Sequence, residues 1–267
     1  MDTPSDLSSE PPPSRREVTI RDDQSDFPSL LDSAKACRRN GGRLRIIDSG
    51  KLAAFELEWL AEAGADIYTS DLGRKALPEF VLIQNASRKG NAVTAYFHHA
   101  PFYFEEKEEA VSFTSLKEMG RSGLYLYLSN KTAPRDFLKL EELAYASAAA
   151  GNHLVYYHHG LLDPALEELA RQGAWIHVSC QSLQKEDDQV FLCDCVRSAR
   201  QRGANIVFHV ESPVNLSWLK DILAAGTNVF FRMPPSDYRS ALRPLEVEAQ
   251  RRKLDERAYY LYATFLL

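Results

Sequence analysis

One pattern, repeated eight times, limits what this chain can become more than any other feature in it. A stretch with helical spacing ends in glycine, and a short β-rich run follows at once. The glycines are Gly42, Gly64, Gly90, Gly123, Gly151, Gly173, Gly203 and Gly226. The runs after them are RLRIID, ADIYTSD, NAVTAYFHH, LYLYLSN, NHLVYYHH, AWIHVSCQ, ANIVFHVE and TNVFFRM. Glycine just past a helix end takes the left-handed conformation that other residues resist, so it is the expected helix stop. Eight of the 13 glycines stand at this one kind of position.

Between the runs, apolar residues recur at helical spacing, as in Leu57, Leu60 and Ala61, or Trp218, Leu219 and Leu223. Asp163-Pro164 and Asn215 supply N-terminal caps. Strands alternating with helices require a parallel sheet, because parallel neighbours need crossover connections. Eight such units without hairpin signals predict closure. The expected fold is therefore α/β, a (β/α)8 TIM-type barrel, with an extra helix over Phe27 to Arg39 and a last outer helix from Tyr238 to Leu254. The C-terminal AYYLYATFLL is apolar enough to pack on the barrel or on a partner chain.

Residues 1–25 are rich in Pro, Ser, Asp and Glu and predict a disordered tail, whose removal should leave stability unchanged, with residues 26–267 forming one domain. The net charge of -5 gives no reason to expect a nucleic-acid partner. No apolar run reaches the ~18 residues of a membrane span, and the N-terminus lacks a signal-type stretch, so a cytoplasmic location is expected. Four irregularly spaced cysteines fit a reducing compartment. Cys193 and Cys195 fall two apart on a helix, pointing away from each other, and read as buried or spare thiols.

Counting from each glycine, the third and fifth positions are mostly apolar and should meet the helices, which turns the even positions toward the barrel axis. That inward set is polar: Asp66, Tyr68 and Ser70; Thr94, Tyr96 and His98; Tyr127 and Ser129; Tyr157 and His159; His177, Ser179 and Gln181; His209 and Glu211; Arg232. The strand ends also supply Asp48, Asp71, His99, Asn130 and His158. Sites on this fold lie at the C-terminal strand ends. Glu211, His209 and His159 are the candidate acid–base groups, with Arg232, Tyr157, His98, Gln181 and His177 as candidate substrate contacts. An internal Glu211–Arg232 ion pair is the structural alternative. The segment Ala100 to Ser112 is a candidate lid, with Phe102, Tyr103 and Phe104 over the cavity.

Histidines on several strand ends make the chain resemble metal-dependent hydrolases of the amidohydrolase and PHP type, which implies a divalent ion held by histidines with Asp71 or Glu211. The first run carries Ile47-Asp48-Ser49 where those families carry HxH. Glu211 at the end of the seventh run resembles the retaining barrel glycosidases, although Ser129-Asn130-Lys131 stands where their second carboxylate belongs. The expectation is a hydrolase or lyase using Glu/His acid–base chemistry on a small polar or anionic ligand. The alternatives are a metal-dependent hydrolase and a non-catalytic barrel used for binding or interaction, and the cofactor and oligomeric state stay open.

Overall fold

The computed structural model describes residues 17–104, 110–233 and 240–251. It begins with a strand, β1 (Glu17–Arg21), and a helix, α1 (Phe27–Arg39). Eight strand–helix units follow: β2 (Arg43–Ile47) and α2 (Ala54–Glu62), β3 (Asp66–Ser70) and α3 (Leu77–Gly90), β4 (Thr94–His98) and α4 (Phe113–Arg121), β5 (Tyr125–Ser129) and α5 (Phe137–Ala149). The second half continues with β6 (Leu154–Tyr157) and α6 (Ala165–Arg171), β7 (Trp175–Ser179) and α7 (Glu186–Arg200), β8 (Ile206–Val210) and α8 (Leu216–Ala224), and β9 (Asn228–Phe231) and α9 (Arg243–Arg251). All eight expected units are present, as is the extra N-terminal helix.

The nine strands pair in parallel in their sequence order. Consecutive crossovers of one hand place the helices on one side, so the other face of the sheet can be buried only if the sheet curls round itself. That face is buried: Tyr127, Tyr157, His177 and His209 are each 1% exposed. The fold is an α/β TIM-type barrel. Among the described residues no ladder joins β9 back to β1. Val18 on β1 and Phe231 on β9 are left partly exposed at these two edges.

The expected tail needs correction from residue 17 onward. EVTIR pairs with all of β2, from Glu17 opposite Arg43 to Arg21 opposite Ile47. Asp22 is fully buried and accepts hydrogen bonds from the Ser49 and Leu52 amides, which fastens β1 to the loop after β2. A buried carboxylate satisfied by backbone amides stabilises a loop as a cap stabilises a helix. Residues 1–16 lie outside the described residues. So do 234–239 and 252–267, which contain AYYLYATFLL and both ends of the helix expected over Tyr238 to Leu254; only Arg243–Arg251 of it is seen.

Two glycine readings also change, and the second moves a strand face. After α1 the left-handed residue is Gly41, with φ of 69°, and not Gly42. The residue in the left-handed region after α3 is Asn91, with φ of 53°, and not Gly90. Gly90 has another duty: a Cβ there would stand 1.9 Å from the Ala61 carbonyl oxygen, so its missing side chain lets α3 lie against α2. Counting from Asn91 reverses the faces of β4. Thr94 bonds Ser87 of α3, and the Tyr96 ring meets Phe80 of α3 at 4.7 Å. Thr94, Tyr96 and His98 therefore face the helices, and Phe97 faces the axis.

Candidate functional site

With that correction a continuous row of rings crosses the inner face. Phe97 stacks on Tyr127 at 4.4 Å, Tyr127 lies 6.3 Å from Tyr157, and Tyr157 lies 4.2 Å from His177. The row continues through His209, 5.2 Å from His177, to Phe230. Alternation along each strand places these side chains, and parallel register makes them neighbours.

Within the row, three polar groups are linked by hydrogen bonds. Arg232 donates from Nε to His209 Nδ1 at 2.8 Å, and His209 Nε2 lies 2.9 Å from His177 Nδ1. A guanidinium cannot accept, so His209 Nδ1 carries no proton. His209 is then a neutral imidazole protonated on Nε2, and it donates to His177. Burial holds the pKa of His209 well below the ordinary histidine value, and Arg232 and His159 push the same way.

Glu211 follows β8 and accepts from Ser179 Oγ at 2.8 Å, while its own amide donates to Cys180 Sγ at 3.4 Å. His159 follows β6; Asn130 clamps its backbone, accepting from its amide and donating to its carbonyl. Burial first, then Lys131 and His158, lower its pKa, while the charge of Glu211 opposes them. His159 Nε2 has no hydrogen-bond partner among the described residues. The structure thus brings Glu211, Ser179, His159, His177, His209, Tyr157 and Arg232 into the sector from β6 to β9.

Two candidates fall outside it. His98 is buried on the helix side, stacked on Phe102 with 5° between the rings, and burial pushes its pKa down to about 4. Gln181 lies on an exposed 3-10 turn after β7 and contributes its backbone to that turn. The lid reading changes as well. Phe102 packs on His98, on Phe113 at 5.4 Å and under the Arg135 guanidinium at 5.2 Å, so it belongs to the helix side. Residues 105–109 lie outside the described residues.

Asp48 and Asp71, also strand-end candidates, hold loops. Asp48 accepts from Thr69 Oγ1, the Gly50 amide and Arg74 Nε, the last at 2.6 Å. Asp71 accepts from the amides of His99 and Ala100 and pairs with His99 Nδ1 at 2.8 Å. Burial would raise the Asp71 pKa, but the His99 and Ala100 hydrogen bonds outweigh it and the net shift is downward. Sequence reasoning missed three arginines. Arg74 pairs with Asp48, and Arg135 donates to the carbonyls of Ser129, Ala100, His98 and His99. Arg45 is 1% exposed and shares its inner-face position on β2 with Asp66 opposite on β3. Only the absence of any apolar reason for an arginine in mid-strand marked Arg45 in the sequence.

Among the described residues no group of three or more His, Cys, Asp and Glu side chains is arranged to hold a metal ion. The alternative of a histidine-based metal site, with His98 and His159 as its inward histidines, loses His98, which turns toward the helices. Cys193 and Cys195 are free buried thiols on α7, as expected.

No family model and no curated relative matches the chain. Solved barrel proteins resemble it in structure. A mandelate racemase/muconate lactonizing protein from Herpetosiphon aurantiacus matches at 13% identity and a TM-score of 0.37, over 82% of this chain and 54% of that one, so the chain spans about half its length. The 3-dehydroquinate dehydratase from Aquifex aeolicus matches at 12% identity and a TM-score of 0.35, over 94% of this chain and 99% of that one. A mutant tryptophan synthase alpha-subunit from Pyrococcus furiosus matches at 12% identity and a TM-score of 0.38, over 88% and 95%. Likeness at this level leaves the fold to rest on the chain's own topology. Among the described residues no helix is long and apolar enough to cross a membrane.

Proposed function

We propose that the chain is an enzyme of hydrolase or lyase type that acts on a small polar or anionic substrate at the C-terminal mouth, in the sector from β6 to β9. The observation that carries this reading is the hydrogen-bonded series Arg232–His209–His177 beside the Ser179–Glu211 pair. Glu211 is the acid–base group. It is half-buried at the mouth and accepts a hydroxyl proton at Oε2, a place from which a carboxyl can exchange a proton with a ligand. His159, polarised by the Glu211 charge and with Nε2 unoccupied, is the second proton carrier. Arg232, steadied through Nε by His209, orients a carboxylate or phosphate of the substrate. Tyr157, stacked on His177, forms part of the cavity wall.

The test is a melting-shift screen of the full chain against small polar and anionic metabolites, followed by turnover assays on each hit. Turnover should fall at least about 100-fold in Glu211→Gln, the usual scale for loss of a general acid or base, with binding largely kept. Unchanged turnover in both Glu211→Gln and His159→Gln would refute these roles. Binding without turnover in the native protein would mark a non-catalytic barrel. The metal content of the purified protein, measured alongside, decides whether an ion takes part.

A further inference from the structure

A second cavity, of about 320 Å³, lies at the C-terminal ends of β1 to β4, away from the residues assigned above. Its size falls at the lower end of small-molecule sites. Arg21, Ile47, Asp48, Ser49, Ser70, Leu72 and His99 are in its lining. We propose that it binds a small neutral hydroxylated molecule of monosaccharide or cyclic-polyol type, with His99 as its hydrogen-bonding group.

The polarity of the lining leads to this ligand class. Asp71 Oδ1 accepts the His99 Nδ1 proton at 2.8 Å, which leaves Nε2 as the ring nitrogen available to a ligand hydroxyl. Ser70 Oγ accepts the Leu72 amide, so its own proton can be donated to a ligand oxygen. Arg21 at the rim is held by the exposed neighbour Asp23 at 3.1 Å, a pair that contributes little and yields to a better acceptor.

Charge favours a neutral ligand. Asp48 lines the cavity paired with Arg74, Asp22 stands near Arg21, and Asp71 is paired with His99 and stands near Arg135. With the fixed charges already facing one another, a neutral molecule needs no counter-charge of its own. Ile47 and Leu72 give the cavity an apolar wall suited to the C–H face of a sugar ring. Leu72 is 79% exposed, so it reaches the cavity's open side without being part of the core.

The experiment uses the full chain labelled with 15N-histidine, titrated with myo-inositol, glucose and xylose, and separately with succinate and inorganic phosphate. A saturable shift of the His99 ring nitrogens with at least one neutral probe is expected. Ser70→Ala should weaken the response about tenfold, the usual worth of one hydrogen bond. Leu72→Ser should weaken it several-fold, and because Leu72 is exposed this variant keeps the fold. Glu211→Gln should leave the response unchanged, which separates this site from the one proposed above. The proposal is overturned by the absence of a saturable response to any neutral probe, by a response to the anions instead, by equal affinity in the Ser70 and Leu72 variants, or by loss of response in Glu211→Gln.

Discussion

The two halves of the barrel mouth carry similar residue types and use them differently. From β2 to β5, the carboxylates of Asp48 and Asp71 and the guanidinia of Arg74 and Arg135 are saturated by backbone groups and by one another. From β7 to β9, Glu211 accepts from the Ser179 hydroxyl and Arg232 donates to the His209 imidazole, both of them side-chain partners. A strand-end position therefore says little about a residue's task. A loop clasp is marked by the backbone amides and carbonyls it holds.

The largest expected effect is in the first half. Asp48→Asn removes the carboxylate that faces the buried Arg74 guanidinium, leaving it Glu79 and the Leu52 carbonyl, and should cost roughly 3 kcal/mol in urea denaturation; a change within error would remove the clasp from this account. Arg135→Met leaves four loop carbonyls without their donor and should cost about 3 kcal/mol. Acid should act on both halves. An unfolded histidine takes up its proton near 6.5, but folded His98 does so only near 4, because burial opposes the charge. The unfolded chain binds more protons between these values, so stability falls as pH drops from about 6.5 to about 4, by up to about 3 kcal/mol for His98 alone. His209 and His159 are shifted in the same direction and add to the loss. His98→Phe, which keeps the stack on Phe102, should flatten the pH profile; an unchanged slope would shift the cause to the β6–β9 half. Asp22→Ala, which frees the amides of Ser49 and Leu52, should cost about 2 kcal/mol. Trimming the chain to residue 26 should lower the melting temperature similarly, contrary to what composition alone suggests.

Much of this architecture is legible in the sequence, because glycine stops and helical spacing are local signals. The eight units after residue 41 and the helix over Phe27–Arg39 follow from them. β1 escaped because the prolines and acidic residues around EVTIR mask a strand whose stability comes entirely from pairing with β2 and from buried Asp22. The β4 faces were misassigned because two residues, Gly90 and Asn91, could each end α3, and a shift of one residue inverts a strand. That shift exchanged His98 for His99 as the residue at the mouth. The β6–β9 cluster was legible because its glycines are the true left-handed stops. The saturation of Asp48 and Asp71 was not, since Arg74 and Arg135 reach them or their loops from turns whose path no spacing rule gives.

The central claim, that Glu211 in the β6–β9 sector is held for chemistry while the Asp48 and Asp71 clasps are held for structure, is tested most directly by urea denaturation of Glu211→Gln, Arg232→Met and the double variant. Glu211→Gln should leave stability within about 0.5 kcal/mol of the native protein or raise it, with a coupling to Arg232 of similar small size. A loss of roughly 3–5 kcal/mol in Glu211→Gln, partly recovered in the double variant, would show a structural ion pair and contradict the assignment.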